Sequence, residues 1–337
     1  MSIGEDEASS SRTSPKSPHI SWSDSYTKAH EAIKSLSPIV SSIPPALSSS
    51  ETPASCLLNN QDIATQISTL LRHPDSGSGD NRLCRWLYDT FQTNEPDLHL
   101  VVLRFLPILA GVYLSRAALH KPLAGFECVL LALYAHETAS RKGQALTVSI
   151  PDLSHPSVYH ESKQNPKNSA TELNIAIISP SLEPYGTVRS TRRARIVGVA
   201  LEFYYTKITQ IPIRSKIEFC EFCKIWAGQH GDSYKNYDDH DGEIQEQGKK
   251  QGRILLPWEL LQPILRIVGH CLMGPSNDEE LFETACGACR SLYERALHEI
   301  NPKAILATES LFKLAKITRN SRDIDHTEIE HTKVIAI

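Results

Sequence analysis

Apolar positions recur at helical spacing along most of the chain. Ile63, Ile67 and Leu71 follow one another at intervals of four, which places them on one face of a helix. Helical spacing continues at residues 83–91, 96–119, 125–136, 191–210, 214–227, 258–272, 278–300 and 302–317. The pattern predicts a mainly α fold, a solenoid-like or bundled multi-helix domain with short connections.

Two short segments depart from the helical period. Residues 145–150 alternate and contain Thr147, Val148 and Ile150, and residues 173–178 have a similar composition. Alternation with β-branched residues is typical of a strand. Two strands among many helices predict a small β-hairpin or ribbon element.

Composition divides the chain into three predicted regions. Residues 1–53 are rich in Ser and Pro, which predicts a disordered N-terminal extension that holds one short amphipathic helix near residues 22–36. Residues 54–318 form the predicted helical domain, and residues 319–337 form a charged C-terminal tail. Residues 229–252 make a polar loop that is long for a compact domain.

One stretch, residues 98–119, has the length of a membrane span. Arg104, Pro107 and Arg116 interrupt it, and a charge at bilayer depth costs several kcal/mol. We therefore predict a core helix, kinked at Pro107, whose arginines reach its rim, and no transmembrane segment. The N-terminus also lacks the pattern of a secretory signal.

Composition narrows the class of protein. The formal net charge is −4, so the chain lacks the basic balance of a nucleic-acid-binding protein. Its eight cysteines lie mostly within apolar, helix-like stretches, which favours reduced, buried thiols in the cytosol.

Two C-x-x-C pairs, Cys220 with Cys223 and Cys286 with Cys289, are the clearest candidates for chemistry. One interpretation is a zinc- or redox-linked helical protein. The other treats these residues as small core side chains, because both pairs lie within helical patterns. We found no phosphate-binding loop, nucleophile elbow or kinase motif. We therefore expect no catalytic residue, no cofactor and no metal.

The chain has one local basic cluster, formed by Arg189, Arg192, Arg193 and Arg195. It can meet anionic lipid headgroups, at about 1 kcal/mol per charge near a membrane surface. One alternative is a solvated helix start, although the helix dipole disfavours cations there. Another is contact with the carboxylates of a partner.

The segment from residue 149 to residue 161, SIPDLSHPSVYHE, resembles the signature of the hyccin family. The matching positions are Pro151, Leu153, Ser154, Pro156, Ser157, Val158, Tyr159, His160 and Glu161. Further similarity, in the same order along the chain, lies at residues 103–107, 126–134, 220–223 and 292–302.

This resemblance implies a non-catalytic subunit of the phosphatidylinositol 4-kinase type III alpha complex. Such a subunit binds a tetratricopeptide-repeat scaffold, while a separate lipid-anchored adaptor holds the assembly at the plasma membrane. We expect the chain to support the recruitment and stability of the kinase, and so the synthesis of phosphatidylinositol 4-phosphate. Its expected location is the cytosol and, peripherally, the plasma membrane.

The chain departs from the animal members of the family in its Ser/Pro extension, in the absence of their long C-terminal tail, and in an apparent insertion at residues 240–250. These departures favour a plant-type member. Ser14 and Ser17 each precede a proline, so we predict phosphorylation there, which phosphopeptide mapping can test.

Overall fold

Helices form most of the backbone. The computed structural model describes residues 18–117, 119, 121, 123–151, 173–184, 186–189, 191–228, 253–275 and 278–322. The first helices are α1 (Pro18–Leu36), α2 (Pro45–Ser48), α3 (Pro53–Asn59), α4 (Gln61–Arg72), α5 (Arg82–Gln92), α6 (Pro96–Arg104), α7 (Leu106–Ala117) and α8 (Ala124–Ser140). After the strands β1 (Leu146–Pro151) and β2 (Leu173–Ser179) come α9 (Arg193–Thr206), a short 3₁₀ helix (Ile208–Gln210), α10 (Ile213–Ala227), α11 (Trp258–Met273), α12 (Glu279–His298) and α13 (Pro302–Arg322).

The strands β1 and β2 form an antiparallel two-stranded sheet. Val148 lies opposite Ala176, and Ser149 lies opposite Ile175. Because directly opposed residues share a face, the hairpin has one face with Val148 and another with Ile175. The prediction of a mainly α fold with a small β-hairpin is confirmed.

Helix α10 lies at the centre of the apolar core. It packs against α7 on one side and α12 on another. Phe219 and Trp226 are completely buried on it, and Tyr204 of α9 stacks near Phe219 with ring centroids 6.2 Å apart. On α7, a side chain at Gly111 would collide with the Phe222 ring, so this glycine permits α7 and α10 to approach closely.

Side-chain caps mark where several helices begin. Asn60, Asn81 and Asp278 each accept a hydrogen bond from the backbone N–H three residues further on, at 2.9, 3.0 and 2.7 Å. Each cap satisfies a donor that the helix itself leaves unpaired. These residues therefore fix the starts of α4, α5 and α12.

The apolar stretch at residues 98–119 is divided between α6 and α7, which break at Phe105. Within the described residues no single helix is both long and apolar enough to cross a bilayer, and α6 and α7 pass that test only jointly, across a 46° bend. The prediction that the arginines of this stretch reach its rim is wrong for Arg104, which is only 3% exposed. Its guanidinium donates to the carbonyl oxygens of Leu58 and Asn60, which stabilise the buried charge.

The N-terminal region contains α1, which includes the amphipathic helix predicted near residues 22–36. Helix α1 buries Ala32 and Leu36, and the indole of Trp86 donates to the carbonyl oxygen of Ala32 at 2.9 Å. Lys28 forms an ion pair with Glu95 at 2.6 Å. A few apolar positions at helical spacing are thus enough to dock α1, despite its polar composition. Residues 1–17 lie outside the described residues.

At the other end, α13 continues to Arg322, four residues beyond the predicted domain boundary at residue 318. The remaining residues, 323–337, lie outside the described part of the chain.

Candidate partner-binding groove

Three arginines of the basic cluster have carboxylate partners. Arg192 forms an ion pair with Glu183, and Arg193 lies 3.7 Å from Glu127 on α8. The hydroxyl of Tyr113 on α7 donates to the same carboxylate at 3.1 Å. These contacts tie the start of α9 to its neighbours within the chain.

The other two members of the cluster differ from each other. Arg195 donates to the carbonyl oxygen of Ser181, and its guanidinium lies 3.9 Å from Glu259. Arg189 is exposed. The cluster is therefore largely part of the chain's own electrostatic network, and contact with lipid remains a prediction.

The C-x-x-C cysteines lie on helices and point into packed regions. Cys220 and Cys223 on α10 are completely buried, and so is Cys289 on α12. A hydrogen bond with Cys271, and then burial, raise the pKa of Cys220, while burial raises the pKa of Cys289 to about 12. Metal binding and redox exchange need the thiolate, which these surroundings disfavour. The described residues contain no group of three or more His, Cys, Asp or Glu side chains placed to hold a metal ion.

Only the start of the family signature falls on described residues. Pro151 ends β1 and pairs with Leu173 of β2. The rest of the signature, Leu153, Ser154, Pro156, Ser157, Val158, Tyr159, His160 and Glu161, lies outside the described residues, as does the loop at residues 229–252.

A large groove runs between the hairpin, α11 and α13, with a volume of about 670 Å³. We call it the apolar groove and define it by Val148, Ile150, Ile178, Trp258, Leu265 and Leu311. Most of its lining is aliphatic or aromatic. The groove thus offers a concave apolar surface of the kind that accepts a helix or an extended segment of another protein.

The hairpin leaves apolar side chains exposed on both of its faces. Val148 and Ile150 are more than two-fifths exposed at the groove, and Ile175 and Ile177, on the opposite face, are 73% and 64% exposed. Neighbouring exposed apolar side chains of this kind are typical of an interaction site. The fold itself makes little use of these side chains.

The base of the hairpin is anchored to the core. Ser179 at the end of β2 is buried and hydrogen-bonds to Glu202 of α9. Arg141 donates to the same carboxylate at 3.1 Å and lies 3.9 Å from Glu137. This buried polar cluster holds the hairpin in place, so the apolar face above it is presented on a fixed support.

Cationic side chains border the apolar groove. The guanidinium carbon of Arg266 lies 4.2 Å from the ring centroid of Tyr205, and the Lys303 ammonium lies 5.8 Å from that of Trp258. An apolar centre with a polar rim is the usual organisation of a protein interface. The positive rim favours a partner that carries carboxylates beside an apolar segment.

The sequence analysis singled out the basic cluster and did not identify this groove. The available signal was the hairpin, where Val148, Ile150, Ile175 and Ile177 place apolar residues on both faces of only two strands. The contribution of α11 and α13 depends on tertiary packing, which periodicity does not reveal.

Comparison with known protein families provides one match. The family model described as Hyccin matches residues 48–336, most of the chain. The matched region contains the hairpin, α11 and α13, and therefore every residue that defines the apolar groove. The chain thus belongs to the hyccin family.

Proposed function

We propose that this chain is a non-catalytic scaffold subunit of a phosphatidylinositol 4-kinase type III alpha complex. The match to the hyccin family over residues 48–336 is the observation that carries the proposal. In this role the chain binds a tetratricopeptide-repeat scaffold and supports the stability of the kinase assembly. A separate lipid-anchored adaptor brings the assembly to the plasma membrane, where the kinase makes phosphatidylinositol 4-phosphate.

The apolar groove is the surface that we assign to the repeat scaffold. Its exposed aliphatic side chains lose contact with water when a partner covers them, which contributes about 25 cal/mol per Å² of apolar surface. A helix of the repeat scaffold, with its apolar face in the groove and carboxylates near Arg266 and Lys303, fits both the shape and the charge. This contact needs no chemistry from the chain, in agreement with a scaffold role.

The proposal is tested by affinity purification of the tagged full chain from its own cells, followed by mass spectrometry. We expect a tetratricopeptide-repeat scaffold and a phosphatidylinositol 4-kinase in the eluate. The Ile150→Asp variant places a charge in the apolar groove and should reduce their recovery at least about tenfold, since a buried unpaired charge is costly. Leu119→Asp is the matched control, because Leu119 is 51% exposed and lies outside the groove.

Two results would contradict the proposal. One is recovery of the wild-type chain without either partner under conditions that preserve other membrane-associated complexes. The other is equal loss of both partners in Leu119→Asp and Ile150→Asp, which would show that the effect does not depend on the groove.

A further inference from the structure

A second groove lies between α4 and α10, and it shares no residue with the apolar groove. Its volume is about 360 Å³. Helix α4 contributes one polar face, with Gln61, Thr65, Ser68 and Arg72 at spacings of three and four. The remaining charged lining consists of Arg104 from α6 and of Arg214 and Glu218 from α10.

We call this second site the arginine groove and define it by Arg72, Arg104, Arg214 and Glu218. Three guanidinium groups therefore face a single carboxylate within the lining. Arg104 is buried, and its donors go to neutral oxygens, including that of the Gln61 side chain at 3.0 Å. Its positive charge at the floor is thus solvated by dipoles and is not cancelled by direct contact with a carboxylate.

The two upper arginines remain accessible. Arg72 lies 4.0 Å from Glu218, and its guanidinium carbon lies 5.0 Å from the centroid of the Phe222 ring. Arg214 donates to Glu280 at 3.2 Å, and both of these side chains are more than half exposed. A guanidinium over an aromatic ring keeps its planar fork of N–H donors available to an oxyanion.

Glu218 is the single acidic group in the lining. Burial raises the pKa of Glu218, while Arg72, Arg214 and Arg104 act in the opposite direction. Ser68 donates a hydrogen bond to it. Even with Glu218 ionised, the lining carries more positive than negative charge, and two partly exposed guanidiniums lie at the opening.

We propose that the arginine groove binds a phosphate monoester group, with Arg72 and Arg214 as its direct ligands and Arg104 as a fixed positive charge at the floor. A phosphate monoester is a small dianion, and arginine forks match its oxygens in pairs. The small, polar cavity excludes a bulky apolar ligand. This inference is independent of the proposed function, since it uses neither the apolar groove nor the kinase partners.

Titration calorimetry on the full chain tests the site. The soluble probes are inorganic phosphate and glycerol 3-phosphate, and the membrane probe is a phosphatidylcholine vesicle that contains phosphatidic acid. We expect the wild type to bind at least one of the two probe classes, soluble or membrane. Arg214→Gln and Arg72→Gln should each weaken the affinity about tenfold, because each removes charge-assisted hydrogen bonds to the phosphate. Binding of glycerol 3-phosphate identifies a soluble ester as the ligand source, and binding of the vesicle alone identifies a lipid.

Arg319→Gln is the matched control. Arg319 lies 3.3 Å from Glu279 on α12 and above the Phe282 ring, so it resembles both upper arginines of the groove, but it lies outside the lining. The affinity of the Arg319→Gln variant for the probes should equal that of the wild type. Glu218→Gln removes the negative charge and should strengthen binding several-fold, a gain that general damage to the fold would not produce.

The proposal is overturned if neither probe class binds the wild type. It is also overturned if Arg319→Gln weakens binding as much as Arg214→Gln, because the effect would then reflect overall charge. Arg214 is exposed, so its variant should fold normally even if Arg72→Gln disturbs Glu218, and circular dichroism verifies the fold of each variant.

Discussion

The core around α10 and the apolar groove use the same kinds of side chain to different ends. On α10, Phe219 and Trp226 are completely buried between α7 and α12. At the groove, Val148 and Ile150 remain more than two-fifths exposed, although they lie on a regular strand. The difference is whether another element among the described residues covers the apolar face. Where one does, the face stabilises the fold, and where none of them does, the face is available to a partner.

The largest expected contrast is between one substitution in each region. Phe219→Ala should lower the free energy of unfolding by about 3–5 kcal/mol, because it removes a fully buried ring and leaves a cavity. Ile150→Ala, at the groove, should change it by less than about 1 kcal/mol, because this side chain is half exposed. Urea unfolding of the two variants and the wild type measures both values. A loss at Ile150 equal to that at Phe219 would contradict the distinction.

The next effect concerns the anchor beneath the hairpin. Arg141→Met removes the cation between Glu137 and Glu202, whose side chains are about 10% exposed, and leaves two carboxylates in a buried site. We expect a loss of about 3 kcal/mol in the free energy of unfolding. The exposed ion pair of Arg85 with Asp89 supplies the control, since Arg85→Met should cost less than about 1 kcal/mol. Equal losses in the free energy of unfolding would show that the buried Arg141 contributes no more to stability than an exposed ion pair.

Acidification should destabilise the core through a pair of histidines. The ring centroids of His99 and His136 lie 5.1 Å apart, and the His136 ring stacks on the Phe203 ring with centroids 4.8 Å apart. Burial lowers the pKa of both imidazoles. A histidine with a lowered folded pKa adds stability above its ordinary value, about 6.5, and loses it as the pH falls toward the folded pKa. Wild-type stability should therefore decrease as the pH falls below about 6.5.

His136→Phe keeps the ring stack and removes one of the two titrating groups. The variant should lose less stability than the wild type between about pH 7 and about pH 5.5 in urea unfolding. Burial raises the pKa of Glu202, which acts in the opposite direction over this range, so the difference between the two proteins is the informative quantity. An identical pH dependence in both proteins would show that His136 does not contribute to the loss of stability at low pH.

The smallest effect tests local structure far from the groove. Asn81→Ala deletes the side-chain oxygen that caps α5, and should cost about 1 kcal/mol. Asn81→Asp keeps a capping oxygen and should stay close to the wild type. Thermal unfolding of the three proteins gives the comparison. No loss in the alanine variant would show that water replaces the cap without cost.

Local patterns predicted the elements of this fold well. The period of apolar positions located the helices from residue 61 onward, and alternation located both strands, because burial on one face imposes those spacings. The helix predicted from residue 302 begins there as α13, where the Asn301 side chain accepts from the N–H of Ala304 at 3.2 Å. These signals depend on neighbouring residues only.

Features that depend on distant contacts could not be predicted from spacing. Helix α1 was expected as a helix, but its packing against the domain involves a hydrogen bond from Trp86 that sequence spacing does not reveal. Arg104 was expected at a rim, but carbonyl oxygens at the end of α3 make its burial possible. Both grooves likewise combine elements that are far apart in sequence, so neither could be derived from periodicity.

We propose that the repeat scaffold binds in the apolar groove. Hydrogen exchange of the full chain, measured alone and saturated with the purified tetratricopeptide-repeat scaffold, tests this assignment. We predict slower exchange at residues 146–151, 173–179 and 302–317 in the complex, with little change in α4 and α5. Unchanged exchange in those segments, together with new protection elsewhere on the chain, would contradict the account.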